Sequence, residues 1–381
     1  MESILIIAGE NSGEKYGAQL IKEFKKLSNK YSFFGIGGNW MEKEGVELIF
    51  RISDVSLRGI FEIISHIPKV LNIFNSILKE VKNRRPVVSI LIDFPDFNLR
   101  LAKKLRKMKI PVLYYISPTI WAWRKGRIKK IKKYVNKILL IFPFEMEIYK
   151  NYGVNAIFVG HPLLERIKIN LSKEDFFRKY GLNSKQKLIA FLPGSREGEI
   201  KYHLPVLIEA IQKLKNKIKA QFILVRAENI KEDLIEKYLN SNLDAKVISE
   251  DNYEAMYYSD LIISSCGTAN LEAALLEKPL ITFYKLSPFT YNLGIHFIRI
   301  RNYSIVNILA GKRIVPELIQ KDFTPENIYK EALRILNSPQ ITSKMIEEFK
   351  KIKKSLGEKG ASKKVAEELF NLILEYKKKE E

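Results

Sequence analysis

Asp93 is the residue of this sequence best suited to take a proton. It follows an apolar run, Val87–Ile92, that reads as a buried strand, and it opens the segment Asp93-Phe94-Pro95-Asp96. A second apolar run, Pro111–Ile116, ends in Ser117-Pro118-Thr119-Ile120-Trp121-Ala122-Trp123-Arg124. In an open α/β sheet, ligands bind beyond the carboxyl ends of the strands. A carboxylate at such an end has the reach that a general base needs. Asp96 fits another part, the cap of a helix expected over Phe97–Met108. Between Asp96 and Glu145 the sequence holds no acidic residue, whereas 14 lysines and arginines fall there. Trp121, Trp123 and Arg124 therefore belong to a cationic, aromatic-bearing stretch, suited to an anionic or membrane-held substrate.

Three further turns join a strand to a helix. Gly9-Glu10-Asn11-Ser12-Gly13 permits a tight backbone, and the helix start behind it can hold an anion. The plainer reading makes Ser12 the helix cap. The turn is not a G-x-G-x-x-G dinucleotide pattern. Leu192-Pro193-Gly194-Ser195-Arg196 carries a permanent cation that can grip phosphate through two N–H groups. Arg196 gains nothing from the positive end of a helix, which favours a ligand over a structural role. Ser264-Ser265-Cys266-Gly267-Thr268-Ala269-Asn270-Leu271-Glu272 is the third. Free N–H groups over Gly267, Thr268, Ala269 and Asn270 suit a diphosphate. Glu272, one turn on, can accept from ribose hydroxyls; alternatively Thr268 caps the helix and Glu272 only profits from its dipole. No His/Cys cluster has metal-ligand spacing, so neither metal nor cofactor is expected. His66, His161, His203 and His296 are isolated; His161, in Gly160-His161-Pro162, is the better site candidate.

These residues need a scaffold of alternating strands and helices, and the sequence supplies it. Strand patterns at Ile4–Ala8, Ser32–Gly35, Val87–Ile92, Pro111–Ile116, Lys137–Phe142 and Ala156–Val159 form one doubly wound set. A polar joint over 161–185 follows. A second set runs through Lys187–Leu192, Gln221–Arg226, Lys246–Ser249, Leu261–Ser264 and Pro279–Phe283, and residues 325–381 read as three helices. The expected division is 1–163 and 164–339, with helices of 340–381 completing the first domain. The formal net charge is +22 and uneven: 28 basic against 14 acidic residues over 1–160, then 37 against 29. The N-terminal part is thus the better contact for an anionic surface. The apolar segment Gly59–Phe74 either packs on the sheet or dips into a membrane interface. The lone Cys266 allows no intrachain disulfide, and a reducing compartment fits. Neither a signal peptide nor a spanning helix is expected.

Together these segments resemble the lipid A disaccharide synthases, glycosyltransferases of the GT-B class. The resemblance rests on Ala8-Gly9-Glu10-Asn11-Ser12-Gly13, Gly35-Ile36-Gly37-Gly38, Asp93-Phe94-Pro95-Asp96-Phe97-Asn98 and Tyr115-Ile116-Ser117-Pro118-Thr119-Ile120-Trp121-Ala122-Trp123-Arg124. It continues through Pro143-Phe144-Glu145, Gly160-His161-Pro162, Leu192-Pro193-Gly194-Ser195-Arg196, Gly267-Thr268-Ala269-Asn270-Leu271-Glu272, Tyr284-Lys285-Leu286-Ser287-Pro288-Phe289-Thr290 and Val306-Asn307-Ile308-Leu309-Ala310-Gly311. It implies two Rossmann-like doubly wound domains facing a cleft, with a helical tail. It further implies transfer of diacylglucosamine from UDP-2,3-diacylglucosamine to 2,3-diacylglucosamine 1-phosphate, giving a β-1,6 disaccharide and UDP. Asp93 matches the base. Gly194, Ser195, Arg196 and the Gly267–Asn270 turn match the UDP site, with Glu272 near the ribose. Glu10 and Asn307 fall on matching active-site segments, and Ser12, Trp121, Trp123 and Arg124 on the acceptor and membrane side. The cytoplasmic face of the inner membrane is the implied location, held peripherally, and a homodimer exchanging C-terminal helices is compatible. The first turn departs from the family pattern, with Asn11 for Ala and Glu14 for Asp. Rival readings are a UDP-N-acetylglucosamine epimerase, the peptidoglycan lipid glycosyltransferase, or a basic nucleic-acid-binding protein using Trp121 and Trp123 to stack bases. No nucleic-acid motif supports the last, and no nucleic-acid partner is expected.

Overall fold

The computed structural model describes residues 1–55, 60–121, 126–238, 245–287, 291 and 302–380, without the side chains of 60–67, 379 and 380. Trp123, Arg124, His296 and the end of the Tyr284–Thr290 run lie outside the described residues, as do the side chains of His66 and of half the Gly59–Phe74 segment. The chain forms two compact units: Met1–Glu165 with Leu356–Glu381, and Arg166–Ser355.

Unit one holds a seven-stranded parallel sheet. Its strands are β1 (Glu2–Ala8), β2 (Tyr31–Gly37), β3 (Val46–Arg51), β4 (Val88–Ile92), β5 (Val112–Tyr115), β6 (Lys137–Leu140) and β7 (Ala156–Phe158), in the order β3-β2-β1-β4-β5-β6-β7. The central strands are apolar runs because both faces are covered: Ile4, Leu5, Ile6, Ile7, Ile90, Leu91 and Ile92 are fully buried. Strand order reverses between β1 and β4, which pair from Ile4↔Val88 to Ala8↔Ile92. Unit two repeats the plan with β8 (Lys187–Leu192), β9 (Ala220–Val225), β10 (Lys246–Ile248), β11 (Leu261–Ser265), β12 (Leu280–Tyr284) and β13 (Glu317–Ile319), ordered β10-β9-β8-β11-β12-β13. Its reversal lies between β8 and β11, where Leu192 pairs with Ser264. Both are thus doubly wound sheets with one switch point each.

Two strands escape a reading of the sequence by pattern, β3 and β13. Both are sheet edges, and β3 alternates poorly because three consecutive residues, Leu48, Ile49 and Phe50, are all half-buried. The tail corrects another expectation. The helix Pro339–Ser355 packs in unit two, against the helix Thr268–Leu275, rather than completing unit one. Its buried stripe of Met345, Phe349 and Ile352 gives that packing its apolar face. The helix Ala361–Glu380 packs on the helix Asn11–Leu27, with Phe370 edge-on to Phe24 at 6.2 Å. Lys137 Nζ donates to Glu368 Oε2 at 2.8 Å beside it.

Leu369, fully buried on that last helix, anchors this packing. Leu369→Ala should lower the unfolding free energy by about 2–5 kcal/mol, seen as a lower urea midpoint at unchanged slope.

Candidate active site

At the switch point of unit one, β4 ends in two consecutive left-handed residues, Asp93 at φ 47° and Phe94 at φ 48°. Each such non-glycine residue is strained by about 1–3 kcal/mol and survives only where its surroundings over-determine it. Here they do. Asp93 N–H donates to Tyr115 O at 2.9 Å. The Asp93 carbonyl accepts from Tyr114 OH at 2.5 Å and Asn98 Nδ2 at 2.8 Å. Tyr114 and Asn98 are fully buried. The Phe94 ring stacks on Phe97 at 5.3 Å and lies over Gly9: a Cβ there would fall 2.2 Å from Phe94 Cγ. The glycine of the first turn therefore makes room for the ring that fixes Asp93, and the half-buried Asp93 side chain is left at the carboxyl edge.

Glu10 follows β1 on the same edge. It is the N-cap of the helix Asn11–Leu27 and is exposed, with extended backbone at φ −135°. Ser12 lies inside the first turn and does not cap, because the helix begins two residues earlier than that role requires. Asp96 does not cap either. The helix Pro95–Lys107 starts from Phe94 without a side-chain cap, and Asp96 Oδ1 accepts from buried Arg127 Nη2 at 2.8 Å. Glu14, the family's Asp position, is buried and committed to the turn after β2; its Oε1 accepts from Trp40 N–H at 2.6 Å. Burial raises its pKa, against the opposing pull of the Trp40 amide. The longer side chain thus caps the short helix Asn39–Lys43 behind Gly38.

Beyond β5 and β6 the same edge carries Ser117, Trp121 and Glu145. Ser117 Oγ and Tyr149 OH lie 2.8 Å apart. Glu145 is buried, and burial pushes its carboxyl up to about 8. His161 is also buried, edge-on to Tyr16 at 6.3 Å, with Nδ1 accepting from Leu163 N–H at 3.2 Å. It serves the packing of unit one.

In unit two the Gly194 turn differs from expectation. Glu199 Oε2 accepts from Ser195 N–H at 2.9 Å and Arg196 N–H at 3.2 Å, while its Oε1 accepts from Tyr284 OH at 3.1 Å. These amides are therefore already occupied. Gly194 itself sits at φ 125°, its Cα packed over the Glu199 carboxyl. His203, one helical turn on, completes the brace. Nδ1–H donates to Pro193 O at 2.6 Å and Nε2 accepts from Lys285 N–H at 3.0 Å, which assigns the neutral tautomer from the network. What remains outward is the exposed Arg196 side chain, which also reaches Glu199 Oε1 at 3.2 Å.

The third turn keeps its amides. Gly267 is the N-cap of the helix Thr268–Leu275, and Thr268 does not cap it. Gly267 and Thr268 are exposed, and among the described residues the N–H groups of Gly267, Thr268 and Ala269 have no acceptor. Asn270 is buried and structural: Nδ2 donates to Ser265 O at 2.9 Å, and Oδ1 accepts from Ser304 Oγ at 3.4 Å. Asn307 is more fully committed. Nδ2 donates to Val315 O and Glu317 Oε1, and Oδ1 accepts from Ile314 and Val315 N–H, all within 3.0 Å. An amide with two donors and two accepted bonds has nothing left for a ligand, so Asn307 shapes the turn from behind, and buried Asn270 braces it through Ser265 and Ser304. Half-buried Glu272 accepts from Tyr253 OH at 3.0 Å. Burial pushes the Cys266 thiol well above its ordinary range. Sequence reasoning missed Glu199, His203 and Glu317; the Glu199/His203 spacing of one turn behind Gly194 was the available signal.

Two doubly wound parallel sheets, each with one switch point, are the architecture of the GT-B class of fold. A UDP-GlcNAc 2-epimerase from Neisseria meningitidis, solved bound to UDP-GlcNAc, superposes with TM-score 0.69 at 15% identity, covering 97% of this chain and 100% of that one. The glycotransferase of kitacinnamycin gives TM-score 0.66 at 11% identity, covering 98% and 99%. Sequence likeness narrows the class. The lipid-A-disaccharide synthetase profile matches residues 4–370. The lipid-A-disaccharide synthase of Geobacter sulfurreducens is 39% identical over 365 residues, 95% of each chain. That of Solibacter usitatus is 36% identical over 367 residues, 96% of each. The chain belongs to the lipid-A-disaccharide synthetase family and is a glycosyltransferase of lipid A biosynthesis. Among the described residues, no helix is long and apolar enough to cross a membrane.

Gly9→Ala should push Phe94 off its seat and move Asp93. Overpacking of this kind destabilises by about 1–3 kcal/mol, and a shift near 1 Å lowers activity about 100-fold; thermal denaturation and UDP release read the two effects. His203 gives a pH dependence. Burial lowers its pKa, so the native state stays neutral while the unfolded chain takes a proton first. Stability should fall as pH drops through about 6.5. That fall should shrink in His203→Gln, compared by denaturant titration on both sides of that pH.

Proposed function

We propose that the chain catalyses inverting, metal-independent transfer of diacylglucosamine from UDP-2,3-diacylglucosamine to 2,3-diacylglucosamine 1-phosphate. The observation that carries this reading is the placement of each unit's chemistry at its own switch point. Asp93 and Glu10 stand there in unit one, Arg196 and the open Gly267–Ala269 amides in unit two.

In this reading Asp93 takes the proton of the acceptor 6-hydroxyl as its oxygen attacks the anomeric carbon from the face opposite UDP. The bond from that carbon to the diphosphate oxygen breaks, and negative charge grows on the leaving group. The Gly267, Thr268 and Ala269 amides with Arg196 are the donors suited to that charge. Glu272 stands one turn inward, where ribose hydroxyls would lie. Unit one binds the lipid acceptor, and its cationic stretch, with Trp121, Trp123 and Arg124, meets the anionic inner-membrane surface as a peripheral contact.

UDP release from both substrates in detergent tests this. Release should depend on acceptor and persist in EDTA. Asp93→Asn should slow it by about 10²–10⁴-fold. Full activity in the variant would keep the enzyme and remove Asp93 as its base; loss of release in EDTA would overturn metal independence.

A further inference from the structure

Ser117, Trp121 and Glu145 gather on the edge that carries Asp93, after β5 and β6 where Asp93 follows β4. Glu145 opens the helix Glu145–Asn151 and is 1% exposed. Its Oε2 has no hydrogen-bond partner among the described residues, and neither has the buried Trp121 Nε1. The Trp121 ring meets Phe144, the residue before Glu145, edge-on at 5.5 Å. Other buried carboxylates of this chain accept main-chain N–H groups in pairs, as Glu199 does from Ser195 and Arg196 and Glu317 from Tyr303 and Ser304. A carboxylate with an orphan oxygen, buried among aromatic rings, is poorly supported as an anion. As a neutral acid it costs less to bury, and it can donate as well as accept.

We propose that Glu145 is a positioning residue for the transfer reaction, working as a neutral acid that fixes Trp121 and the Ser117–Trp121 loop beside Asp93. The proposal rests on the reading of Asp93 as base. A second negative charge close to Asp93 would make it bind a proton too tightly to stand ionised and ready. The neutral form avoids this. Burial is the main cause of neutrality; the Ser117 hydroxyl, the Phe142 main chain and the Trp121 N–H, which lies near without closing a hydrogen bond, oppose it, and the charge of Asp93 adds to it. Among the described residues, the titratable groups that act on Glu145 are Asp93 and Tyr149, and burial keeps the Tyr149 phenol protonated as well.

The test uses Glu145→Gln, which mimics the neutral acid, and Glu145→Ala, which removes it. Glu145→Gln should keep kcat and KM at pH 7, while Glu145→Ala should lose about tenfold in kcat. A second readout needs no turnover. With Trp40 and Trp123 replaced by Phe, Trp121 emission should shift with a midpoint near pH 8, and Glu145→Gln should abolish the shift. A Gln variant as impaired as the Ala variant, or an emission shift that persists in it, would overturn the proposal. Full activity in Asp93→Asn would remove the base while leaving the emission shift intact, so the two failures are distinguishable.

Discussion

Buried carboxylates that accept main-chain N–H groups hold the loops of this protein in place. Glu14 takes Trp40, Glu199 takes Ser195 and Arg196, Glu317 takes Tyr303 and Ser304, and Glu254 takes Asn170 and Leu171. Glu165 does the same for Gly360 and Ser362, fastening the returning tail to unit one. Loops at the carboxyl edge of a parallel sheet carry amides that no strand can satisfy. An anion built into the chain answers them, because charged acceptors make hydrogen bonds about twice as strong as neutral ones. A basic protein with a net charge of +22 thus concentrates structural work in a few of its acidic residues.

The same device explains what could be read from the sequence and what could not. The strand cores were legible because a sheet buried on both faces writes continuous apolar runs such as Ile4-Leu5-Ile6-Ile7. The switch-point turns were legible because glycine and small polar residues directly follow those runs. β3 and β13 were not, since half of β3 is only partly buried and β13 is three residues long and opens on a glutamate. Residue roles behind the turns were harder still. Ser12, Thr268 and Asp96 all have the right chemistry for caps, yet Glu10, Gly267 and Phe94 occupy those positions, and the choice depends on where the backbone enters the helix. Asn270 and Asn307 sit on segments that a ligand-binding reading selects, but the Asn307 amide is spent on Ile314, Val315 and Glu317, and buried Asn270 is engaged with Ser265 and Ser304. A linear motif cannot tell a residue that touches a ligand from one that shapes the turn which does.

The strain at Asp93 and Phe94 belongs to this picture. Two adjacent left-handed residues would relax if the chain were free. Tyr114, Asn98 and the rings of Phe94 and Phe97 prevent it, and all of these lie within unit one. Rigid placement favours a base, whose efficiency depends on reaching one proton at one distance. Asp93 therefore draws its position from packing that forms when unit one folds.

Unit two offers two helix starts at its switch point, and the occupied amides discriminate between them. Behind Gly194, Glu199 already takes the N–H groups of Ser195 and of the N-cap Arg196, so an anion seated on that turn would face a carboxylate held against the same donors. Behind Cys266 no carboxylate intrudes, and the Gly267–Ala269 amides remain open. In the proposed reaction the diphosphate is therefore assigned to the second turn. Arg196 then contributes through its guanidinium alone, projecting from a backbone that Glu199 and His203 hold still. This division also resolves the mismatch of a cation at a helix start: Glu199 offsets the helix dipole locally, so Arg196 can stand there without repulsion and still present its charge to a ligand.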